Sequence, residues 1–90
     1  MKFYKFVIGS MNSFQSLDEL KEAVGSGENL EKIGISKSQG NIGIFEYEIE
    51  SLSDQVALMY GRGLAFSRGW CMDDTFSFCQ EVDSITNNIF

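Results

Sequence analysis

The 90-residue sequence contains no histidine and only two cysteines. Without histidine, the Ser-His and Cys-His pairs that activate a catalytic nucleophile are excluded. A continuous strand from Cys71 to Cys79 would separate the two residues by roughly 26 Å, which is far beyond disulfide reach. Neither cysteine belongs to a CxxC motif, so the sequence predicts two free thiols and no zinc site.

Long hydrophobic runs are also missing. No stretch approaches the roughly 18 apolar residues that a membrane span requires, and the apolar part of the N-terminal MKFYKFVIGS is too short for a signal peptide. The apolar fraction of 43% and the eight phenylalanines favour a folded chain over a disordered one. We therefore expect a single domain over residues 1–90, in a reducing, cytoplasmic compartment.

Positive charge is scarce in the second half of the chain. The first 45 residues contain five lysines and five acids, whereas the second 45 contain only Arg62 and Arg68 against eight acids. The net charge of −6 therefore arises entirely from the C-terminal half. An acidic surface repels phosphate backbones and attracts basic protein patches, although the same acids could serve solubility alone.

Hydrophobic periodicity and turn residues predict six elements in the order strand, helix, strand, strand, helix, strand. They span about residues 2–9, 17–24, 30–36, 41–50, 54–67 and 75–82. Ser16, with Glu19 three residues on, is the predicted cap of the first helix, and Ser51 or Ser53 is that of the second. This order predicts an α+β, ferredoxin-like split βαβ fold (βαββαβ), with a four-stranded antiparallel sheet and two helices on one face. The opposite face of the sheet would then be open.

The strand at 41–50 has the clearest alternation in the chain. Its inward set is predicted to be Gly43, Phe45, Tyr47 and Ile49, and its outward set Ile42, Ile44, Glu46, Glu48 and Glu50.

The second helix has a row of small residues, Ala57, Gly61 and Ala65. Each glycine inside this helix, at positions 61 and 63, costs about 1 kcal/mol relative to alanine, and we expect close approach of the helix to the sheet to offset this. A phosphate-binding glycine loop is disfavoured because GRG lacks an upstream strand and the GxGxxG spacing. Three large apolar residues in or near this helix have two possible roles: Met59, Phe66 and Trp70. Core packing is the favoured role, and a partner-binding patch is the alternative.

Two stretches resemble the signatures of the RNA-recognition-motif family, over roughly residues 4–83. The first-strand signature matches Phe6-Val7-Ile8-Gly9-Ser10-Met11, and the third-strand signature matches Gly40-Asn41-Ile42-Gly43-Ile44-Phe45-Glu46-Tyr47. The resemblance implies a ferredoxin-like fold. It also implies that bases would stack at Val7, Ile42 and Ile44, none of which is aromatic, so it argues against RNA binding.

The open sheet face is the predicted working surface. Phe3, Val7, Ile42 and Ile44 would form an apolar patch there, which a protein partner or a homodimer would cover. Beside the patch, Glu46, Glu48 and Glu50 would project at intervals of roughly 6.6 Å, comparable to successive phosphates, unless they only solvate the strand.

These patterns favour a non-enzymatic protein-binding domain that engages a basic or apolar surface. One form of this hypothesis is a phage-type inhibitor, or nucleic-acid mimic, of a nucleic-acid-handling enzyme. No cofactor, catalytic residue, metal site or nucleic-acid partner is predicted. The alternatives are a degenerate RNA-recognition module that binds nucleic acid weakly, and a ligand- or metal-binding domain built around Asp73, Asp74 and the arginines, although a turn is the favoured role of the two aspartates.

Overall fold

The computed structural model describes residues 1–26, 40–50 and 53–85. In chain order it contains β1 (Lys2–Ser10), α1 (Leu17–Ser26), β2 (Ile42–Ile49), α2 (Asp54–Ser67), a one-turn 3-10 helix (Met72–Asp74) and β3 (Thr75–Val82). The strand predicted at 30–36 lies outside the described residues.

The sheet formed by the described residues has three strands in the order β2-β1-β3, and β1 runs antiparallel to both of its neighbours. Phe6, near the middle of β1, stands opposite Phe45 of β2 and Cys79 of β3. The first strand of the chain is therefore the centre of the sheet.

The two helices cover opposite faces of this sheet. Tyr4, Phe6 and Ile8 of β1 pack in one core cluster with residues of α2, whereas Val7 packs in a second cluster with residues of α1 such as Leu20. The prediction of a ferredoxin-like fold, with four strands and both helices on one face, is therefore wrong for the part of the chain that the structure describes. The protein is a small α+β fold of three layers, with the sheet in the middle.

The sequence explains this difference once both sides of each strand are considered. In β1 the residues Phe6, Val7 and Ile8 are consecutive and apolar, and each is fully buried. A strand covered on both faces has such a continuous apolar run, whereas a half-exposed strand alternates. Ile42 and Ile44 of β2 extend the same pattern on the side that was predicted to be open, and both are buried under α1.

Serine caps begin both helices as the sequence predicts. Ser16 Oγ accepts a hydrogen bond from the Glu19 amide at 3.2 Å, and Ser53 Oγ accepts one from the Val56 amide at 3.3 Å. No helix among the described residues has the length and apolarity to cross a membrane.

Candidate functional site

The side of α2 that faces the sheet is built from small residues. Ala57, Gly61 and Ala65 recur every four residues and are buried, so the helix lies close to the sheet. A Cβ atom at Gly61 would lie 2.6 Å from side-chain atoms of Phe6, closer than atoms can pack. The sequence prediction that a close approach to the sheet offsets a glycine in this helix is confirmed at Gly61.

The opposite side of α2 is also apolar, but it is exposed. Its large side chains keep the following exposed fractions: Val56 51%, Met59 60%, Tyr60 48% and Phe66 74%. Together with Gly63 they follow the spacing i, i+3, i+4, i+7 and i+10, which places them on one stripe of a helix with 3.6 residues per turn. We call these five residues the outer face of α2. A helix that is apolar on both sides is normally buried on both.

Within α2 and its C-cap only three side chains are charged, and two of them are arginines. Arg62 lies within α2 and Arg68 caps its C-terminus, and these are the only arginines of the chain. The single acid of the helix, Asp54, borders a cleft on the β3 side that is also lined by Phe78 and Cys79. The outer face of α2 therefore contains no acid, in a chain whose net charge is −6.

Gly63 lies in the middle of the outer face, and unlike Gly61 it is not in close contact with another side chain. A Cβ atom there would meet nothing within 4 Å, and among the described glycines only Gly69 has a positive φ, at 89°. A glycine in a helix interior is about 1 kcal/mol less favourable than alanine. Neither crowding nor backbone conformation within the described part of the protein explains why Gly63 is a glycine.

Tyr60 is held firmly on the outer face by a series of tyrosine rings. Its ring centroid lies 4.9 Å from that of Tyr47, which in turn lies 6.0 Å from that of the fully buried Tyr4. The Tyr47 hydroxyl donates a 2.6 Å hydrogen bond to the Ala57 carbonyl, which ties the ring to α2. Tyr60 is thus an exposed aromatic side chain whose position the core determines.

Tyr47 and Cys79 are the two groups of this region with altered acidity. The phenol oxygen lies 3.2 Å from the Cys79 sulfur. Burial, followed by the hydrogen bond to Cys79, raises the pKa of Tyr47 above its ordinary value, and burial likewise raises the pKa of the Cys79 thiol. Both groups are therefore neutral near pH 7, and a thiol of this kind is a poor nucleophile. Both cysteines are free, as predicted.

The apolar residues of the predicted sheet-face site are mostly inaccessible. Val7, Ile42 and Ile44 are covered by α1, with exposed fractions of 0%, 1% and 6%. Phe3 is partly exposed near the start of β1. The expected open apolar patch is therefore not present, because α1 occupies that part of the sheet.

The three glutamates of the site do not form an evenly exposed row. Glu46 is half-buried and stands opposite Lys5 of β1 in the strand register. Glu48 is exposed opposite Phe3, and Glu50 is exposed beyond the last residue of β2.

A cleft with two lysines lies on the part of the sheet that α1 does not cover. Lys5 and Gln80 line both halves of this Lys5 cleft, with volumes of about 460 and 500 Å³. In the second half, Lys21 Nζ lies 5.4 Å from the centre of the Phe78 ring, a cation–π arrangement. Glu46, Glu81 and Asp83 line the first half beside Lys5, so the side chains of that half are mainly acidic and do not favour a small anion.

The aspartates after α2 have a structural position. Asp73 and Asp74 belong to the 3-10 turn that precedes β3, and the Asp74 carbonyl accepts a 3.0 Å hydrogen bond from the Met11 amide. Among the described residues, no three His, Cys, Asp or Glu side chains are grouped to hold a metal ion.

The structure separates the three residues for which the sequence allows either core packing or a partner-binding patch. Trp70 is in the core with an exposed fraction of 1%, whereas Met59 and Phe66 are on the outer face. The 3- and 4-residue spacing from Val56 to Phe66 was the signal for this stripe. It is visible in the sequence, but so is the competing small-residue row.

Comparison with known proteins gives no family. The chain matches no protein-family model, and no curated protein or solved structure is significantly similar to it. The outer face of α2 and the Lys5 cleft are therefore interpreted from their own chemistry.

Proposed function

We propose that this protein is a non-enzymatic protein-binding domain whose partner docks on the outer face of α2. The observation that carries this proposal is the stripe of four large apolar side chains, each about half exposed or more, on a helix whose other side is already in the core. Contiguous exposed apolar surface of this kind marks interaction sites in small proteins.

The geometry of the stripe matches a known mode of recognition. An amphipathic helix that binds a protein presents anchors at i, i+3, i+4 and i+7. Val56, Met59 and Tyr60 occupy the first three of these positions, the fourth is Gly63, and Phe66 follows about one turn later. Tyr60 is pre-positioned by Tyr47, so little conformational freedom is lost when it binds. Covering Phe66, which is 74% exposed, would contribute about 1.5–3 kcal/mol.

The acidic row, by which we mean Glu46, Glu48 and Glu50, gives weaker support to a protein-binding function. An inhibitor that mimics nucleic acid needs regularly exposed carboxylates, and Glu46 is half-buried opposite Lys5. Docking through α2 requires no such row, and it accounts for the apolar surface. Mimicry of nucleic acid therefore predicts a different contact surface, and an experiment can compare the two.

Site-specific photo-cross-linking in the native host distinguishes these surfaces. A benzophenone amino acid replaces Phe66 in one variant and the exposed Glu48 in a matched variant, and mass spectrometry identifies the protein adducts. We expect adducts from position 66 that disappear when Tyr60→Asp is added, while circular dichroism shows that the fold is retained. Adducts from position 48 alone would favour the acidic row, and no protein adduct from either position would contradict the proposal.

A further inference from the structure

We infer that the outer edge of β3 is a second contact surface, on which an extended segment of another protein adds an antiparallel strand to the sheet. The bound segment has one acidic residue between two apolar residues. This edge is separate from the outer face of α2 and uses none of its residues.

Hydrogen bonds at one end of the sheet show which backbone groups of β3 face away from β1. The Met11 amide donates to the Asp74 carbonyl at 3.0 Å, one register step beyond the pair of Ser10 and Thr75. In an antiparallel pair, residues bonded to the neighbouring strand alternate with residues whose amides and carbonyls point the other way. Counting from Asp74, four residues therefore direct these groups to the outer edge of the sheet: Thr75, Ser77, Cys79 and Glu81.

The outer edge of β3 lacks the features that normally prevent another strand from pairing. No strand among the described residues pairs with it. β3 follows β1 from Thr75 to Val82 without a bulge, and its sequence TFSFCQEV contains no proline, lysine or arginine. After the buried Thr75 every residue of β3 is partly or fully exposed, whereas the first four residues of β2, on the other side of β1, are buried. Because unpaired edge groups are a template for a further strand, β3 is available to a partner.

A cleft lies on each face of the sheet at the middle of this edge. On the face that α2 covers, the cleft bordered by Asp54 has a volume of about 380 Å³. On the face that α1 covers lies the half of the Lys5 cleft that includes Lys21. Phe78 and Cys79 line both clefts, so the two clefts meet at the backbone of these two residues.

The two clefts determine which side chains the bound segment carries, because successive residues of a strand point to opposite faces. Residues opposite Ser77 and Cys79 point to the α2 side, where Leu58 and the Cys79 thiol favour apolar side chains. The residue between them is opposite Phe78 and points to the α1 side. Lys21 Nζ lies 5.4 Å from the centre of the Phe78 ring, and no acid lines this half of the cleft, so an acidic side chain is favoured there.

Strand addition obtains its affinity from main-chain hydrogen bonds and its specificity from pockets for alternate side chains. Ser77 and Cys79 each direct one N–H and one C=O to the segment. Because the whole chain carries a net charge of −6, acids that lie outside the lysine-lined half of the cleft are repelled. The preferred segment is therefore apolar, acidic, apolar, with neutral residues on either side.

Amide hydrogen exchange of the full chain, followed by NMR, tests strand addition. The probe is the peptide acetyl-Thr-Val-Glu-Val-Thr-amide, whose side chains have the same order in both directions. In the free protein the outward amides of Ser77 and Cys79 should exchange faster than the inward amides of Phe78 and Gln80. The peptide should slow exchange at Ser77 and Cys79, by about tenfold when its concentration is about ten times the dissociation constant, and leave the inward amides unchanged.

Matched peptides separate backbone pairing from non-specific adhesion. Methylating the two valine amides, which face β3 when the valines lie opposite Ser77 and Cys79, should abolish the protection. Methylating the glutamate amide, which faces away from β3, should leave the protection in place. The two modified peptides have the same side chains, so a difference between them reports the hydrogen bonds alone.

Lys21→Glu tests the acidic position of the segment. It should weaken binding of the glutamate peptide about three- to tenfold, because a surface ion pair becomes a like-charge pair. A peptide with lysine in place of glutamate should then become the better ligand. Arg62→Glu is the matched control, since it makes the same change in net charge and Arg62 lines neither cleft, and it should leave the preference for the glutamate peptide unchanged.

Four results would overturn strand addition at β3. Slow exchange of the Ser77 and Cys79 amides in the dilute free protein would mean that the chain itself covers the edge. Protection that grows with protein concentration without peptide would identify a second copy as the occupant. The other two are no protection at about 1 mM peptide and equal effects of the two methylations. An unchanged peptide preference in Lys21→Glu would overturn the acidic residue of the segment.

Discussion

The two sides of α2 contain the same residue for different reasons. Gly61 and Gly63 are two positions apart in one helix, yet the first is pressed against Phe6 and the second faces open space. Both sides are apolar, so hydrophobicity alone does not distinguish the side that folds the protein from the side available for binding. What distinguishes them is size, because small residues mark the side in close contact with the sheet and large residues mark the exposed side.

The largest expected effect contrasts two phenylalanines on either side of this helix. Phe6 is fully buried beneath Gly61, so Phe6→Ala should lower the free energy of unfolding by about 3–5 kcal/mol. Phe66→Ala on the outer face should change it by no more than about 0.5 kcal/mol at low protein concentration. Urea denaturation measures both, and similar losses for the two variants would show that the outer face also belongs to the core.

The next effect concerns the hydrogen-bonded groups on the sheet side of α2. The pKa values of Tyr47 and Cys79 are raised above their ordinary values of 10.0 and 9.0. When the pH exceeds these ordinary values, the two groups lose their protons in the unfolded chain but keep them in the folded protein. Stability should therefore fall as pH rises above about 9, by up to about 1.4 kcal/mol per pH unit for Tyr47 and less for the more exposed Cys79. Urea denaturation at several alkaline pH values measures this slope.

The variants Tyr47→Phe and Cys79→Ala should each reduce this slope, and the double variant should reduce it most. Because other groups also titrate in alkali, the comparison is made between variants at equal pH. A slope that is unchanged in the double variant would mean that these two groups do not carry the pH dependence.

The smallest effect compares the two glycines directly. Gly63→Ala should raise the free energy of unfolding by about 1 kcal/mol, because alanine is the better helix former and its Cβ meets nothing. Gly61→Ala should lower it by about 1 kcal/mol, because overpacking against Phe6 exceeds the same helix gain. Thermal denaturation would refute the comparison if both substitutions shifted stability in the same direction.

Local features of the fold were predictable from the sequence. The predicted end of α2 at about residue 67 agrees with the structure, and Ser53 is the one of the two candidate caps that the structure shows at its start. Both features were predictable because capping and periodicity depend on neighbours in the chain. β3 was predicted at its observed limits for the same reason. The continuous apolar run of β1 indicates that both of its faces are covered, but it does not indicate which helix covers which face, since each could in principle cover either apolar side.

The candidate site was only partly predictable. Met59, Phe66 and Trp70 are similar in chemistry and close in sequence, yet only Trp70 is buried. After α2, Gly69 adopts a φ of 89°, and the Trp70 amide donates a 3.1 Å hydrogen bond to the Ala65 carbonyl, so the chain turns back and Trp70 joins the core. This reversal of the chain depends on three-dimensional packing, so the spacing of residues within α2 does not predict it.

The central position of β1 has a consequence for how the chain acquires its structure. Residues of this strand pair with residues near the far end of the described chain, as Phe3 does with Val82. Contacts between such distant residues require closure of long loops before they gain stability, which slows folding. During synthesis on the ribosome, β1 would therefore emerge early with one hydrogen-bonding edge unsatisfied until β3 has emerged, and an early, exposed apolar strand is the segment that most needs protection from aggregation.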